Sequence, residues 1–266
     1  TKAPDKLAFR RDGKAVELAL RKDYIAVSGV AQPRAGFEDT ELVFVGYGIS
    51  APEYGWDDYK GAELKGKILL MLNNDPADDP TLFAGKTRLY YGRWTYKYEI
   101  AAAKGAAGAL ILHTQPSAGY PWQVVETSWS GEQFELRGEP GPRLQAKGWL
   151  TEEAARRIAL LAGRELGELR AAAESREFRP VPLGVRLSMA LENTVREQES
   201  ANVLGVLPGS DDTLKDQLVT VMAHHDHLGQ APEALAGKDR IYNGALDNAS
   251  GVAFLLAMAR AYATLT

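Results

Sequence analysis

The chain has 266 residues, of which 45% are hydrophobic and 25% charged, values that are usual for one large globular domain or two small ones. A formal net charge of −4 argues against a surface for nucleic acid or anionic membranes, so we expect neither partner. The sequence has no cysteine, which excludes disulfides, thiolate metal sites and cysteine nucleophiles. Its apolar runs stay below the roughly 18 residues that a membrane span needs.

Residues 1–40 are typical of short strands joined by turns, with the hairpin dipeptide Asp12-Gly13 between two apolar stretches. An amphipathic helix is predicted from about Trp94 to Lys104. Strand, helix, strand with apolar strands indicates a crossover unit with parallel pairing. The buried strands predicted around it are residues 41–48, 67–72 and 109–112.

Residues 115–148 are rich in Gly, Pro, Trp and Gln, and this composition predicts loops and irregular strands. A second helix should begin after Thr151, which is suited to be an N-cap, and its apolar residues recur at helical spacing as far as Leu169. Another helix is predicted from about Ser250. The last third of the chain predicts further strands at residues 185–191, 201–207 and 218–223.

Three of the four histidines lie in the pentapeptide AHHDH, residues 223–227, where the last predicted strand ends. Open α/β sheets bind ligands at such strand ends, and histidine with carboxylate is a zinc-type ligand set. Side chains alternate along an extended chain, so His224 and Asp226 should share a face and the carboxylate can orient a metal-binding imidazole. His225 points the other way, which favours a packing or solvent role.

His227 is open to three interpretations, a ligand, a donor to a ligand or a turn residue, of which the last two are favoured. His113 ends a strand of its own, which favours a structural role. Asp247 lies between a glycine-flanked turn and the last helix; such a residue caps a helix in most proteins, but here it can also bridge two cations. The small residues at 249–251 allow the helix to approach closely.

Two other metal motifs do not fit this pattern. A metallo-β-lactamase-like site needs His-x-His-x-Asp-His, and the first of these positions is Met222. Phosphoesterases with an Asp-His-His signature need that order of residues, which the segment at 224–227 does not provide. The sequence also has no Gly-x-Ser-x-Gly elbow and no phosphate-binding loop.

Three blocks in this order, SANVLGVLPG at 200–209, AHHDHLG at 223–229 and GALDNASG at 244–251, resemble the co-catalytic zinc exopeptidases. These include secreted bacterial aminopeptidases and glutamate carboxypeptidases. The resemblance implies that His224 and Asp247 are metal ligands, with Asp247 bridging two zinc ions. It also implies that Asp226 is a catalytic residue that supports His224 and tunes the metal-bound water.

The fold implied is α/β, with three parts. Residues 185–266 would form the N-terminal part of a zinc-peptidase catalytic domain, a mixed sheet with helices. Residues 41–184 are similar to a protease-associated α/β domain with β-rich flanks, on the strength of Tyr47-Gly48 and the segment 105–111. Residues 1–40 would be strands that lead into this insertion.

The function implied is a zinc-dependent exopeptidase that acts on peptides. The most specific form is an aminopeptidase that removes N-terminal residues with water activated by two zinc ions per complete site. The resemblance implies a secreted or periplasmic protein, and it leaves carboxypeptidase activity open. The alternative is a catalytically inactive interaction module of the same architecture, as in the transferrin-receptor ectodomain.

Family members follow the last helix with a Glu-Glu pair and further ligands, and these do not occur before Thr266. We therefore expect the chain to be a fragment of a longer enzyme. It supplies two ligands, His224 and Asp247, whereas catalytic zinc sites usually have three from the protein. The isolated chain is expected to bind zinc weakly and to be inactive.

Overall fold

The computed structural model describes residues 1–76, 79–138, 140–230 and 239–265, in two units, Thr1–Glu197 and Gln198–Thr266. The first unit is built on strands β1 (Lys6–Arg11), β2 (Lys14–Ala19), β3 (Tyr24–Ser28), β4 (Arg34–Phe44), β5 (Ser50–Ala51), β6 (Trp56–Asp57), β7 (Ile68–Leu72), β8 (Gly108–His113), β9 (Ala146–Thr151) and β10 (Val181–Glu192). Eight of them form one sheet in the order β2-β1-β10-β4-β7-β8-β9-β3, and β5 pairs with β6. The α/β fold class predicted from the sequence is confirmed.

The centre of the sheet is parallel and its two sides are antiparallel. Strands β4, β7, β8 and β9 run parallel, whereas β10, β1 and β2 on one side and β3 on the other run antiparallel to their neighbours. Helix α1 (Trp94–Ala103) connects β7 to β8, so the predicted crossover unit is confirmed. The predicted hairpin is also confirmed, because β1 and β2 pair on either side of Asp12-Gly13, with Arg11 opposite Lys14.

Two helix predictions need correction. Residues 115–148, expected to be loops and irregular strands, contain α2 (Gln115–Ala118) and α3 (Trp122–Ser130). The helix after Thr151 is divided into α4 (Glu152–Leu161) and α5 (Leu166–Ala173). Gly163, with φ of +68°, lies between them, and its left-handed backbone ends a helix although the apolar spacing continues.

Both faces of the sheet are buried. On β7 the side chains of Ile68, Leu70 and Leu72 face one apolar cluster, and those of Leu69 and Met71 face another. Each fully buried side chain of this kind contributes about 1.5–3 kcal/mol of transfer free energy. Burial on both faces explains why this strand is a continuous apolar run and not an alternating one.

The boundary between the two compact units falls after Glu197, and the sequence prediction places the start of the catalytic segment at residue 185. The reason is β10, which lies inside the sheet and pairs with β1 on one side and β4 on the other. Its side chains alternate between buried and exposed along almost the whole strand. Residues 1–40, 41–184 and 185–197 therefore share one sheet.

The second unit contains β11 (Gly229–Gln230), β12 (Ile241–Tyr242), a π-helical turn at Ala245–Ala249 and α6 (Ser250–Tyr262), the helix that the sequence predicts. The strands predicted at 201–207 and 218–223 are not formed. Their apolar side chains are exposed, Val203 by 92% and Val219 by 94%, and no strand among the described residues pairs with them. Across the described parts of both units, no helix is long and apolar enough to span a membrane.

Candidate metal centre

The candidate site in the second unit is held together by a short ladder and a tight turn. Strands β11 and β12 pair antiparallel, with Gly229 opposite Tyr242. Gly244 follows with φ of +62°, and its carbonyl accepts a hydrogen bond from the amide of Ala249 at 2.9 Å. The turn that this bond closes carries Asp247 back toward the histidine segment, so residues 23 positions apart meet.

The shortest contact in this cluster joins His224 and Asp247, whose Nε2 and Oδ1 atoms are 2.9 Å apart. Asp226 lies on the other side of the same imidazole, with Oδ1 3.3 Å from Nδ1 of His224. The imidazole therefore has a carboxylate near each of its nitrogens. This is the arrangement in which one carboxylate fixes the orientation of a ring while the other nitrogen is presented to a cation.

His227 approaches the second oxygen of Asp247, with its Nδ1 3.7 Å from Oδ2. Its ring meets Tyr242 edge-on at 6.4 Å between centroids. His225 is exposed, and it lines with His227 and Tyr242 an open cavity of about 410 Å³. His113 lies in the other unit, buried, with Nε2 3.0 Å from the carbonyl of Tyr120, and burial lowers its pKa.

At the start of the last helix a free backbone amide is hydrogen-bonded by Asn248 and not by Asp247. The Oδ1 of Asn248 accepts a hydrogen bond from the amide of Gly251 at 3.2 Å. A Cβ at position 251 would lie 2.2 Å from that oxygen, so a larger residue there would displace the asparagine side chain from this hydrogen bond. This leaves the carboxylate of Asp247 turned toward the imidazoles, and the peptide bond that follows it is cis.

The chemistry of this donor set fits zinc in part. Zinc binds imidazole nitrogen and carboxylate oxygen at about 2.0–2.2 Å, so two such atoms on one ion lie roughly 3 Å apart. The Nε2 of His224 and the Oδ1 of Asp247 are at such a distance. Within the described ranges no three His, Asp or Glu side chains form a group able to hold a metal ion. The roles of His224, Asp226 and Asp247 toward zinc stay predictions.

Sequence reasoning missed Tyr242 and Gly244 as parts of this cluster. A Cβ at Gly244 would lie 2.9 Å from the Cβ and Cγ of His227 and 2.7 Å from the carbonyl oxygen of Asp247. The sequence predicts a turn at Gly244, but the contact of this glycine with the histidine segment depends on β12, which is only two residues long. A strand this short leaves little periodicity to detect.

Sequence reasoning also missed a buried polar cluster in the first unit. Lys97 is completely buried in α1 and donates a hydrogen bond from Nζ to the carbonyl of Tyr47 at 2.6 Å. Asp58 accepts bonds from the amide of Ile49 and the indole of Trp56. Burial raises the pKa of Asp58 and lowers that of Lys97, and each charge opposes the shift of the other.

Asp75 belongs to the same cluster and follows the end of β7. Only 3% of its surface is exposed, and its Oδ2 has no hydrogen-bond partner within the described residues. Burial raises its pKa to about 6, although Lys97 and Arg88 oppose the shift. In α1, Lys97 lies between the buried residues Tyr96 and Tyr98, and its burial could not be read from the helical spacing.

Comparison with known proteins bears on the second unit. Residues 202–266 match Peptidase family M28. No curated protein matches the chain. Among solved structures the chain is similar to the aminopeptidase from Aneurinibacillus sp. strain AM-1, at 18% identity and a TM-score of 0.32, over 73% of this chain and 33% of that one. The chain thus spans about a third of the length of that aminopeptidase. The resemblance found in the three sequence blocks is confirmed over residues 202–266, which match Peptidase family M28.

Proposed function

We propose that this chain is part of a zinc-dependent exopeptidase, most specifically an aminopeptidase that removes N-terminal residues of peptides with water activated by two zinc ions. The observation that carries the proposal is the chain of contacts from Asp226 through His224 to Asp247. It lies inside the segment that matches Peptidase family M28. A role for this segment in peptide hydrolysis outside the cytoplasm, secreted or periplasmic, belongs to the same proposal.

The residues of the site have different roles in this proposal. His224 and Asp247 would hold zinc, which when bound acts as a Lewis acid and lowers the pKa of its water. The carboxylate of Asp226 lies 3.3 Å from Nδ1 of His224 and would favour a proton on that nitrogen, which would leave Nε2 available to bind zinc beside Asp247. Asp247 offers two oxygens that face different imidazoles, which suits a carboxylate shared between two cations.

A zinc titration of the full chain by calorimetry tests the ligand roles. Asp247→Asn should lower zinc affinity by more than about 100-fold, because a charged ligand is lost. Asp226→Asn should lower it by about 10–100-fold, the range typical of residues that support ligands. Asp212→Asn, which changes an exposed aspartate of the same unit that pairs with Lys215, is the matched control and should leave the affinity unchanged.

Equal zinc affinity for Asp247→Asn and the control would contradict the proposal and favour a metal-free interaction module. Because two protein ligands hold a catalytic zinc poorly, the chain alone should bind zinc weakly and show no turnover of an aminoacyl-anilide. Rapid turnover of this substrate by the purified chain would refute the second expectation without affecting the ligand assignments.

A further inference from the structure

His227 is the most enclosed side chain of the candidate metal centre. Its side chain is 25% exposed, compared with 49% for His224 and 70% for Asp247. Its Nδ1 faces Oδ2 of Asp247, while Nε2 of His224 faces Oδ1. The two oxygens of one carboxylate are therefore each directed at a different imidazole.

The surroundings of His227 are shaped for an imidazole in this place. The ring of Tyr242 packs edge-on against it, with an interplanar angle of 82°. Gly244 leaves room for the histidine, since any Cβ there would lie 2.9 Å from the Cβ and Cγ of His227. The same Cβ would collide with the carbonyl oxygen of Asp247 at 2.7 Å, so the glycine brings the imidazole and the aspartate together.

We propose that His227 is a positioning residue whose Nδ1–H holds the Oδ2 oxygen of Asp247. An aspartate carboxylate rotates broadly about its terminal torsion unless its oxygens are restrained. The distance of 3.7 Å is longer than a direct hydrogen bond, so the attraction acts through space or through a bridging water. With Oδ2 held, Oδ1 stays directed at Nε2 of His224. That His227 affects metal binding rests on the proposed function, but the contact between His227 and Asp247 does not.

The contact is tested in the metal-free chain through the tautomer of His227. The protein has four histidines, so ¹⁵N side-chain spectra can be assigned by single His→Gln variants. At about pH 9, where an ordinary imidazole is neutral, His227 should carry its proton on Nδ1. Asp247→Ala removes the acceptor and should move the proton to Nε2, the position preferred by free imidazole side chains.

The positioning role is tested with a pair of substitutions that place an amide nitrogen differently. In His227→Asn the amide nitrogen falls near the original Nδ1, whereas in His227→Gln it falls near Nε2. We expect cobalt(II) affinity, followed by its visible absorption, to drop about 10–100-fold for His227→Gln and to be largely restored in His227→Asn. His225→Gln is the matched control, since His225 makes no hydrogen bond or ion pair with the described part of the chain.

The two arms separate this inference from the proposed function. If His227 carries its proton on Nε2 in the unmodified chain and Asp247→Ala does not change this, the inference is overturned. This outcome holds regardless of the cobalt affinities. Equal losses of cobalt affinity in His227→Asn and His227→Gln would also overturn the inference, because the loss would then come from missing packing contacts and not from the position of the nitrogen. Equal cobalt affinity of the unmodified chain and of Asp247→Asn would overturn the proposed function, and the tautomer would then decide the inference alone.

Discussion

Asp75 shows how a single buried carboxylate can make the first unit sensitive to pH. Its folded-state pKa is raised from 3.8 to about 6, because burial disfavours the charged form. The folded state therefore binds the proton more tightly than the unfolded chain does. The stability that the protonated Asp75 carboxyl contributes is complete below about pH 3.8 and is lost as the pH rises through 6.

Asp75→Asn should therefore gain stability relative to the unmodified chain as the pH rises from 4 to 8. The gain should be on the order of 2 kcal/mol in the free energy of unfolding, given about 1.4 kcal/mol per pKa unit. All five tryptophans lie in the first unit, so denaturant unfolding followed by tryptophan fluorescence reports on it alone.

Asp79→Asn is the control for this experiment, because Asp79 lies in the same loop and its hydrogen bonds with Thr81 lower its pKa. The stability difference between this variant and the unmodified chain should stay nearly constant between pH 4 and 8, because a group with a lowered pKa titrates below that range. Parallel pH profiles for Asp75→Asn and the unmodified chain would show that the carboxylate of Asp75 does not titrate between pH 4 and 8.

At the scale of one element, α4 depends on the hydroxyl of Thr151. The Oγ1 of Thr151 accepts a hydrogen bond from the amide of Ala154 at 3.2 Å, and Glu152 and Glu153 occupy the positive first turn. Thr151→Ala should reduce the free energy of unfolding by about 1 kcal/mol. Thr151→Ser keeps the acceptor and should stay within about 0.5 kcal/mol of the unmodified chain. An equal loss in both variants would mean that the methyl group matters and the cap does not.

The elements that the sequence predicts well are those whose local pattern and tertiary surroundings agree. The apolar run at β7 is buried on both faces, and Thr151 caps a helix as its position indicates. Strands 201–207 and 218–223 have equally apolar patterns but are not formed. A strand needs neighbours for its backbone hydrogen bonds, and that requirement cannot be read from the segment alone.

The candidate site was predictable in its residue types and less so in its contacts. The pentapeptide at 223–227 and the block at 244–251 identify histidines and an aspartate, and the structure brings His224, His227 and Asp247 together. Periodicity could not show that Tyr242 and Gly244 enclose His227, because this depends on a two-residue ladder. It also gave no indication that Asn248, and not Asp247, accepts a hydrogen bond from the first turn of α6.

At the scale of the whole molecule, the two units should differ sharply in resistance to proteases. Residues 198–228 contain no helix or strand and are exposed over almost their entire length, whereas every buried core residue in the described ranges lies in the first unit. Limited trypsin digestion should cut after the exposed Lys215 before the tryptophan fluorescence changes. Mass spectrometry would identify the cut, and Lys215→Gln should abolish that product. Loss of fluorescence before the cut at 215 would show that the first unit is the less stable one.

The sheet order also sets when the first unit can complete its fold during synthesis. The hairpin β1–β2 joins the other strands only through β10, which is the last strand of that sheet to be made. Until Glu192 has left the ribosome, β1 and β4 each present an open edge, and such edges are prone to pair with other chains. Pairs such as Phe9 with Leu187 close only at that moment. A pause in translation shortly before residue 181 would therefore prolong the interval in which a nascent chain is most exposed to aggregation.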